Sequence, residues 1–221
     1  MGTTQGDVVK EMIARGTYIL PPGPSLRLTA DYVVNALRMT PGFRPVNWSS
    51  YHSQERGAPP WMALACAFAS AFQLYDTLQP ILSPQEFAQA VARTSAFFGS
   101  SDIRFFEQYA AYRAAERVWG HTLEHRFGIA DPKARRMAYG VQVASITLQP
   151  HQVWENVARI ALELLGVSLA GPGSAASVQV PDPYEAHGLP TLAGQQAMRR
   201  VAAVVFHETD ILLPPDVFPP S

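Results

Sequence analysis

The stretch "TSAFFGSSDIRFFEQYAAYRAAERVWGHTLEHRF", residues 94–127, decides the fold class. Its first seven residues are apolar and aromatic and close on Gly and Ser, the pattern of a short buried strand. Beyond the turn, Phe105, Tyr109, Tyr112, Val118, Trp119 and Leu123 recur at three- and four-residue spacing, which predicts a long helix with one apolar stripe. The same strand-then-helix grammar repeats on both sides. "RPVNWSS" (44–50) precedes a helical pattern near 59–77, and "RRMAYGVQVAS" (135–145) precedes one at about 150–166. "SAASVQV" (174–180) precedes another at about 190–207. A further helix near 84–93 opens on Ser83, Pro84 and Glu86, the spacing of a capping box. A helix near 6–14 has no strand before it.

Alternation at this rate predicts an α/β fold of parallel βα units. At least four strands, each followed by a helix, form either an open doubly wound sheet or part of a TIM-type barrel. The expected domain covers 1–208, with a Pro-rich extended tail at 209–221, where proline removes the backbone donors a helix needs. The 221 residues suffice for one sizeable core, and 48% hydrophobic with 16% charged residues excludes wholesale disorder.

A formal net charge of -1 gives no electrostatic reason to expect nucleic acid or an anionic membrane. The longest apolar run, "WMALACAFASAFQLY" (61–75), is too short and too polar for a membrane span. Its Cys66, the sole cysteine, is expected as a buried small hydrophobe in a reduced, cytoplasmic setting. No secretory leader is recognised. His121 and His125 form an i,i+4 pair, but "HTLEH" lacks the carboxylate placement of a metalloprotease helix, so no metal site is expected. No Gly-rich nucleotide-binding fingerprint and no G-x-S-x-G elbow occurs.

In parallel α/β folds, ligands gather at the C-terminal strand ends. There the segment "VNWSSYHSQERGA" (46–58) presents Tyr51 and His52 side by side, then Gln54, Glu55 and Arg56, before turning at Gly57. Two readings stand. Tyr51 is an aromatic wall or proton donor and His52 an acid or hydrogen-bond donor to a substrate carbonyl, or both belong to a polar turn satisfied by backbone and water. Glu55 and Arg56 can equally form a solvated pair.

Four stretches together resemble the catalytic barrel of the adenosylcobalamin-dependent acyl-CoA mutases, the methylmalonyl-CoA mutase family. They are "TTQGDVVKEMIARGTYILPPGPS" (3–25), "SSYHSQERGA" (49–58), "RFFEQYAAYRAAERVWG" (104–120) and "VWENVARIALELLGV" (153–167), with "GLPT" (188–191) in register after them. The resemblance runs nearly end to end but covers only the later part of the family's barrel, implying a partial, or half, TIM-type barrel. It implies carbon-skeleton isomerisation of a branched or dicarboxylic acyl-CoA through adenosylcobalamin. By the same resemblance Thr3, Gln5 and Arg15 hold the substrate, the arginine pairing with its carboxylate, and Gln142 contributes to the same task. Tyr51 stands near the reacting carbons, His52 hydrogen-bonds the thioester carbonyl, and Gln54 and Glu55 complete a Y-H-x-Q-E string directed at the cofactor.

Departures from the family pattern are equally specific. Ala138, Gly140 and Val141 stand where Arg, His and Ser belong around the H-S-Q-T segment. "ASVQVPD" (176–182) replaces Q-S-L-H-T-N-S, and "RRVA" (199–202) replaces R-N-T-Q. No D-x-H-x-x-G motif, which holds cobalamin in the family, occurs in this sequence. A half barrel would leave unpaired strand edges, so a second copy or a companion subunit that closes the barrel and carries cobalamin is expected. Three readings follow: a mutase part needing a partner, a repurposed acyl-thioester-binding accessory protein without cobalamin chemistry, or a fragment without function.

Overall fold

The computed structural model describes residues 2–17, 20–170 and 175–209. Parallel strands, each followed by helix, give the α/β class and the succession of a partial TIM-type barrel. The central sheet has four parallel strands in the order β3 (Trp48–Ser49), β4 (Ala96–Ser101), β5 (Ala138–Val143) and β6 (Ala175–Gln179). By its contacts the chain divides into two compact units. One holds the residues up to Phe98 with Ala114–Ala138, and the other holds Gly99–Arg113 with the described residues from Tyr139 onward.

In the first unit the expected helices are present. α4 spans Pro60–Leu78, and α5 spans Pro84–Thr94 with the Ser83/Glu86 capping box in place. α6 spans Phe105–His125 and is the longest described helix; its later turns belong to this unit. Trp119 is fully buried and organises an aromatic core: Phe97 meets it edge-on at 4.8 Å and Phe72 stacks on it at 5.5 Å. A polar knot lies within this core. The Trp48 indole N–H donates to the Thr94 carbonyl at 2.8 Å, and the Tyr75 and Thr94 hydroxyls meet at 3.0 Å. Because the Thr94 hydroxyl is donated to the Ala90 carbonyl at 2.8 Å, Tyr75 is the donor in that pair. Burial pushes the Tyr75 phenol up to about 12, so it stays a donor.

Several expectations for this unit are corrected. α2 (Pro22–Met39) fills a region over which the sequence suggested no element. Its buried face is Ser25, Thr29, Ala30, Val33 and Ala36, too small and too polar to give a strong periodic signal. Pro22 and Pro24 sit in its first turn, where amide donors are free anyway. The helix near 6–14 does have a strand before it, because β1 (Gly2–Thr3) pairs in parallel with β2 (Phe43–Arg44). The 44–50 strand is therefore interrupted: β2 pairs with β1 and β3 with β4, with Pro45 between them unable to donate to a ladder. Tyr51–Glu55 is a short helix, α3, rather than loop, and Gly57 ends it with a left-handed φ of 95°. Val118 is 51% exposed and leaves the predicted stripe, and Cys66 is half-buried rather than buried. His121 and His125 are exposed and stacked on each other. No group of metal-ligating residues occurs among the described residues.

The second unit is built around α7 (Val153–Leu169) and α8 (Leu192–Ala203). Val143, Leu148, Ile160, Leu164, Met198 and Val205 form its core. β5 pairs with β6 in parallel, Val141 opposite Val178 and Gln142 opposite Gln179. Asp182, 2% exposed, accepts from the amides of Tyr184 and Thr191 and so fixes the turn leading into α8. Of the tail expected at 209–221, residues 210–221 lie outside the described ones.

Gly99 in this unit is set by a close approach. A Cβ there would meet the Tyr112 hydroxyl at 2.0 Å, while that hydroxyl donates to the Ser100 carbonyl at 2.8 Å and its ring stacks on Tyr139 at 4.7 Å. Gly99→Ala is therefore expected to lower unfolding free energy by about 1–3 kcal/mol in urea titrations. Tyr112→Phe, which removes the clashing oxygen, should recover part of that loss in the double variant. Strictly additive losses would contradict this packing.

Candidate functional site

The rim predicted at the end of β3 lies in the first unit. β3 stops at Ser49, and the Ser50 amide makes one more bond to the Phe98 carbonyl at 3.0 Å before the chain turns into α3. This puts Tyr51 and His52 on the first helical turn beyond the strand end. The Ser49 hydroxyl meets His52 Nδ1 at 2.9 Å. The Tyr51 ring meets the imidazole edge-on at 5.3 Å and leans on Phe98 at 5.5 Å. Both Tyr51 and His52 are half-buried.

Beneath α3 lies a charged turn that sequence reasoning missed. α1 (Val8–Lys10) runs into a π-turn, Glu11–Arg15, closed by Gly16 at a φ of 66°. Asp7 caps α1, its Oδ1 accepting from the Lys10 amide at 3.0 Å, yet it is fully buried. Burial raises its pKa to about 6, against the lowering effects of the Lys10 amide and charge, the Ser49 amide and the Ser70 hydroxyl. Its Oδ2 makes no hydrogen bond of good geometry. Lys10 is 2% exposed and ion-pairs with Glu11. Burial alone would raise the Glu11 carboxyl. Lys10, the Thr17 hydroxyl at 3.1 Å and Arg15 outweigh that and hold it below its usual range.

These charges reach the imidazole. Burial lowers the His52 pKa first, and the cations of Lys10 and Arg15 lower it further, with Glu11 opposing. The ring is thus biased toward the neutral form, in which one nitrogen donates and the other accepts. Arg15 is exposed and rests on Glu11 at 3.4 Å, so its guanidinium is accessible to an anion. Thr3 and Gln5 are exposed at and just beyond β1. Gln54 is 7% exposed and Glu55 half-buried, so both are built into α3. Gln142 belongs to the second unit, half-buried on β5, where its amide donates to the Val143 carbonyl at 3.3 Å. A cavity of about 430 Å³ opens beside the charged turn, walled by Val8, Leu20, Leu28 and Thr29 with Glu11 and Thr17 among its polar lining.

Two sequence signals pointed to the missed residues. Ser49 stands three positions before His52, and Asp7 occupies a cap position three before Lys10. Neither spacing reveals burial, which comes from α4 covering the turn.

The sign of the Asp7 effect can be tested. A carboxyl whose pKa is higher folded than unfolded weakens the fold as pH rises from about 4 through about 6. Asn retains the cap and cannot ionise. Asp7→Asn should therefore gain stability relative to the parent between pH 4 and pH 7, on the order of 2 kcal/mol in urea unfolding. A constant difference across that range would contradict the burial of an ionisable Asp7.

The family model for methylmalonyl-CoA mutase matches residues 1–218. Ethylmalonyl-CoA mutase of Methylorubrum extorquens is 40% identical over 98% of this chain, which corresponds to 32% of the relative. Human mitochondrial methylmalonyl-CoA mutase is 30% identical over 95% of this chain and 27% of its own length. The 2-hydroxyisobutanoyl-CoA mutase large subunit of Aquincola tertiaricarbonis is 30% identical, with 36% of its length covered. The chain thus spans about a third of the curated relatives it matches. Its parallel βα succession agrees with that match, and the chain belongs to the methylmalonyl-CoA mutase family.

Proposed function

We propose that this chain supplies the substrate-facing part of an acyl-CoA mutase, one that rearranges the carbon skeleton of a branched or dicarboxylic acyl-CoA and is completed by a partner. The observation that carries this reading is the imidazole of His52, biased toward neutrality and gripped by Ser49 at the strand end, with a cationic side chain within electrostatic reach. A neutral imidazole can donate one hydrogen bond to a thioester carbonyl without surrendering a proton, which polarises the carbonyl through the rearrangement. Arg15 offers a fork of donors to a substrate carboxylate, exchanging Glu11 for it. Thr3 and Gln5 are proposed to position the acyl group, and Tyr51 to wall the reacting carbons.

Adenosylcobalamin is the cofactor this family membership implies. By resemblance Gln54 and Glu55 would stand beside its adenosyl part, and half-buried Tyr51 offers a ring for a flat base. This sequence holds no D-x-H-x-x-G motif, and a partner is proposed to carry the cobalt ligand. When bound, the cofactor would supply the radical that abstracts a substrate hydrogen. Tyr51 and the half-buried α3 would keep water from that carbon.

A second copy or a companion subunit is proposed to complete the barrel. No described helix is long and apolar enough to cross a membrane, and a cytoplasmic setting is part of the proposal. One observation favours a second reading, an acyl-thioester-binding accessory protein without cobalamin chemistry. Ala138, Gly140 and Val141 offer no side-chain donor or charge on β5.

Calorimetric titration with methylmalonyl-CoA and butyryl-CoA tests the binding part. Arg15→Ala should weaken the dicarboxylic ligand roughly 10–100-fold more than butyryl-CoA, the range of a hydrogen-bonded charge pair. Equal losses would refute the carboxylate assignment. Tighter binding upon addition of adenosylcobalamin and the partner would favour the mutase over the accessory protein.

A further inference from the structure

The buried cation of Lys10 enters the reading above only as a charge near His52. Enclosing an ammonium is costly unless it is matched by charge and hydrogen bonds, and an apolar side chain of the same length would fill the space at less cost. Here the cost is met within one turn. Asp7, also buried, caps the helix that carries Lys10, and Glu11 receives the ammonium. The Ser49 amide on β3 and the Ser70 hydroxyl on α4 lie within electrostatic reach of Asp7. Ser49, 1% exposed, in turn holds His52.

We infer that Ser49 is the positioning residue for His52, its hydroxyl donating to Nδ1 and leaving the single ring proton on Nε2, while the turn that carries Lys10 packs against α3 and adds a fixed charge nearby. The 2.9 Å contact is compatible with either tautomer, and the inference assigns the serine as its donor. A serine hydroxyl donating to Nδ1 requires that nitrogen to be unprotonated, so in the neutral ring Nε2 is the donor. Lys10 acts electrostatically, by making a second proton on the ring unfavourable. The groups that face His52 are few. The α1 turn brings Lys10, and the π-turn brings Glu11 and Arg15. α3 itself carries Glu55 and Arg56, and the first two turns of α4, "PWMALAC", carry no charged side chain. Glu11 pairs with both cations, but Arg15 is exposed, so solvent screens its charge more than that of buried Lys10.

This inference rests on the reading of His52 as the carbonyl donor, but its test needs no ligand and no turnover. In the purified full chain, long-range nitrogen–proton NMR of histidine-labelled protein reports the tautomer and the titration midpoint of each imidazole, with His52 assigned by His52→Gln. The parent is expected to show the Nε2–H tautomer and a midpoint below that of an ordinary histidine. Lys10→Met, close in size, should raise the midpoint, whereas Glu11→Gln should lower it. Ser49→Ala should erase the tautomer preference. An Nδ1–H tautomer in the parent overturns the inference, and so does a midpoint unmoved by either charge variant. Should Lys10→Met fail to fold, Glu11→Gln at a partly exposed site and Ser49→Ala still decide it. If these responses appear and acyl-CoA does not bind, the positioning stands and the substrate reading falls.

Discussion

The first unit depends on one buried hydrogen bond, the Trp48 indole donating to the Thr94 carbonyl. β3 is two residues long and could not hold its register by ladder bonds alone. The indole fixes it against the end of α5, and Thr94 is fixed in turn by its own bond to Ala90 and by the Tyr75 hydroxyl. Removing one partner would leave a buried polar group unmatched, at a cost of about 1–3 kcal/mol. Because that knot sets where β3 stops, it also sets where Ser49 stands and how the first turn of α3 presents Tyr51 and His52.

Around this anchor the unit places charge where a more stable protein would place hydrocarbon. Asp7 and Lys10 are both enclosed, and the Asp7 carboxyl is driven up to about 6 by that enclosure. Burial of this kind is weak evidence for stability and better evidence for a task. The task assigned here is electrostatic: to keep an imidazole neutral and oriented without touching the ligand. Arg15, in contrast, lies in the open on Glu11, which suits a group that must change partners.

Much of this was legible in the sequence where the signal is local. The Ser83/Glu86 capping box, the stripe of α6 and the strand-then-helix alternation are patterns of spacing, and they fixed the class of fold. α2 was not legible because its buried face is Ser25, Thr29 and Ala36 rather than Leu or Ile. The break at Pro45 was visible as a proline, but its effect, handing β2 to β1 and β3 to β4, is a matter of pairing partners far apart in the chain. Tyr51 and His52 were found by their place after a strand and by resemblance. Asp7, Lys10 and Ser49 were not, because nothing in a sequence marks a lysine as buried until α4 is packed over it. Substitutions such as Ala138 and Gly140 were visible at once, since they are departures from a motif.

The central claim is that the strand-end rim around His52 receives the thioester of an acyl-CoA. The most direct measurement is a ligand titration followed by NMR of the His52 imidazole and the Tyr51 ring, with methylmalonyl-CoA added to the full chain. Saturable movement of the His52 Nε2–H and Tyr51 signals, absent with free coenzyme A, is the predicted result. Saturable binding that leaves both residues unmoved would contradict the account and place the ligand elsewhere.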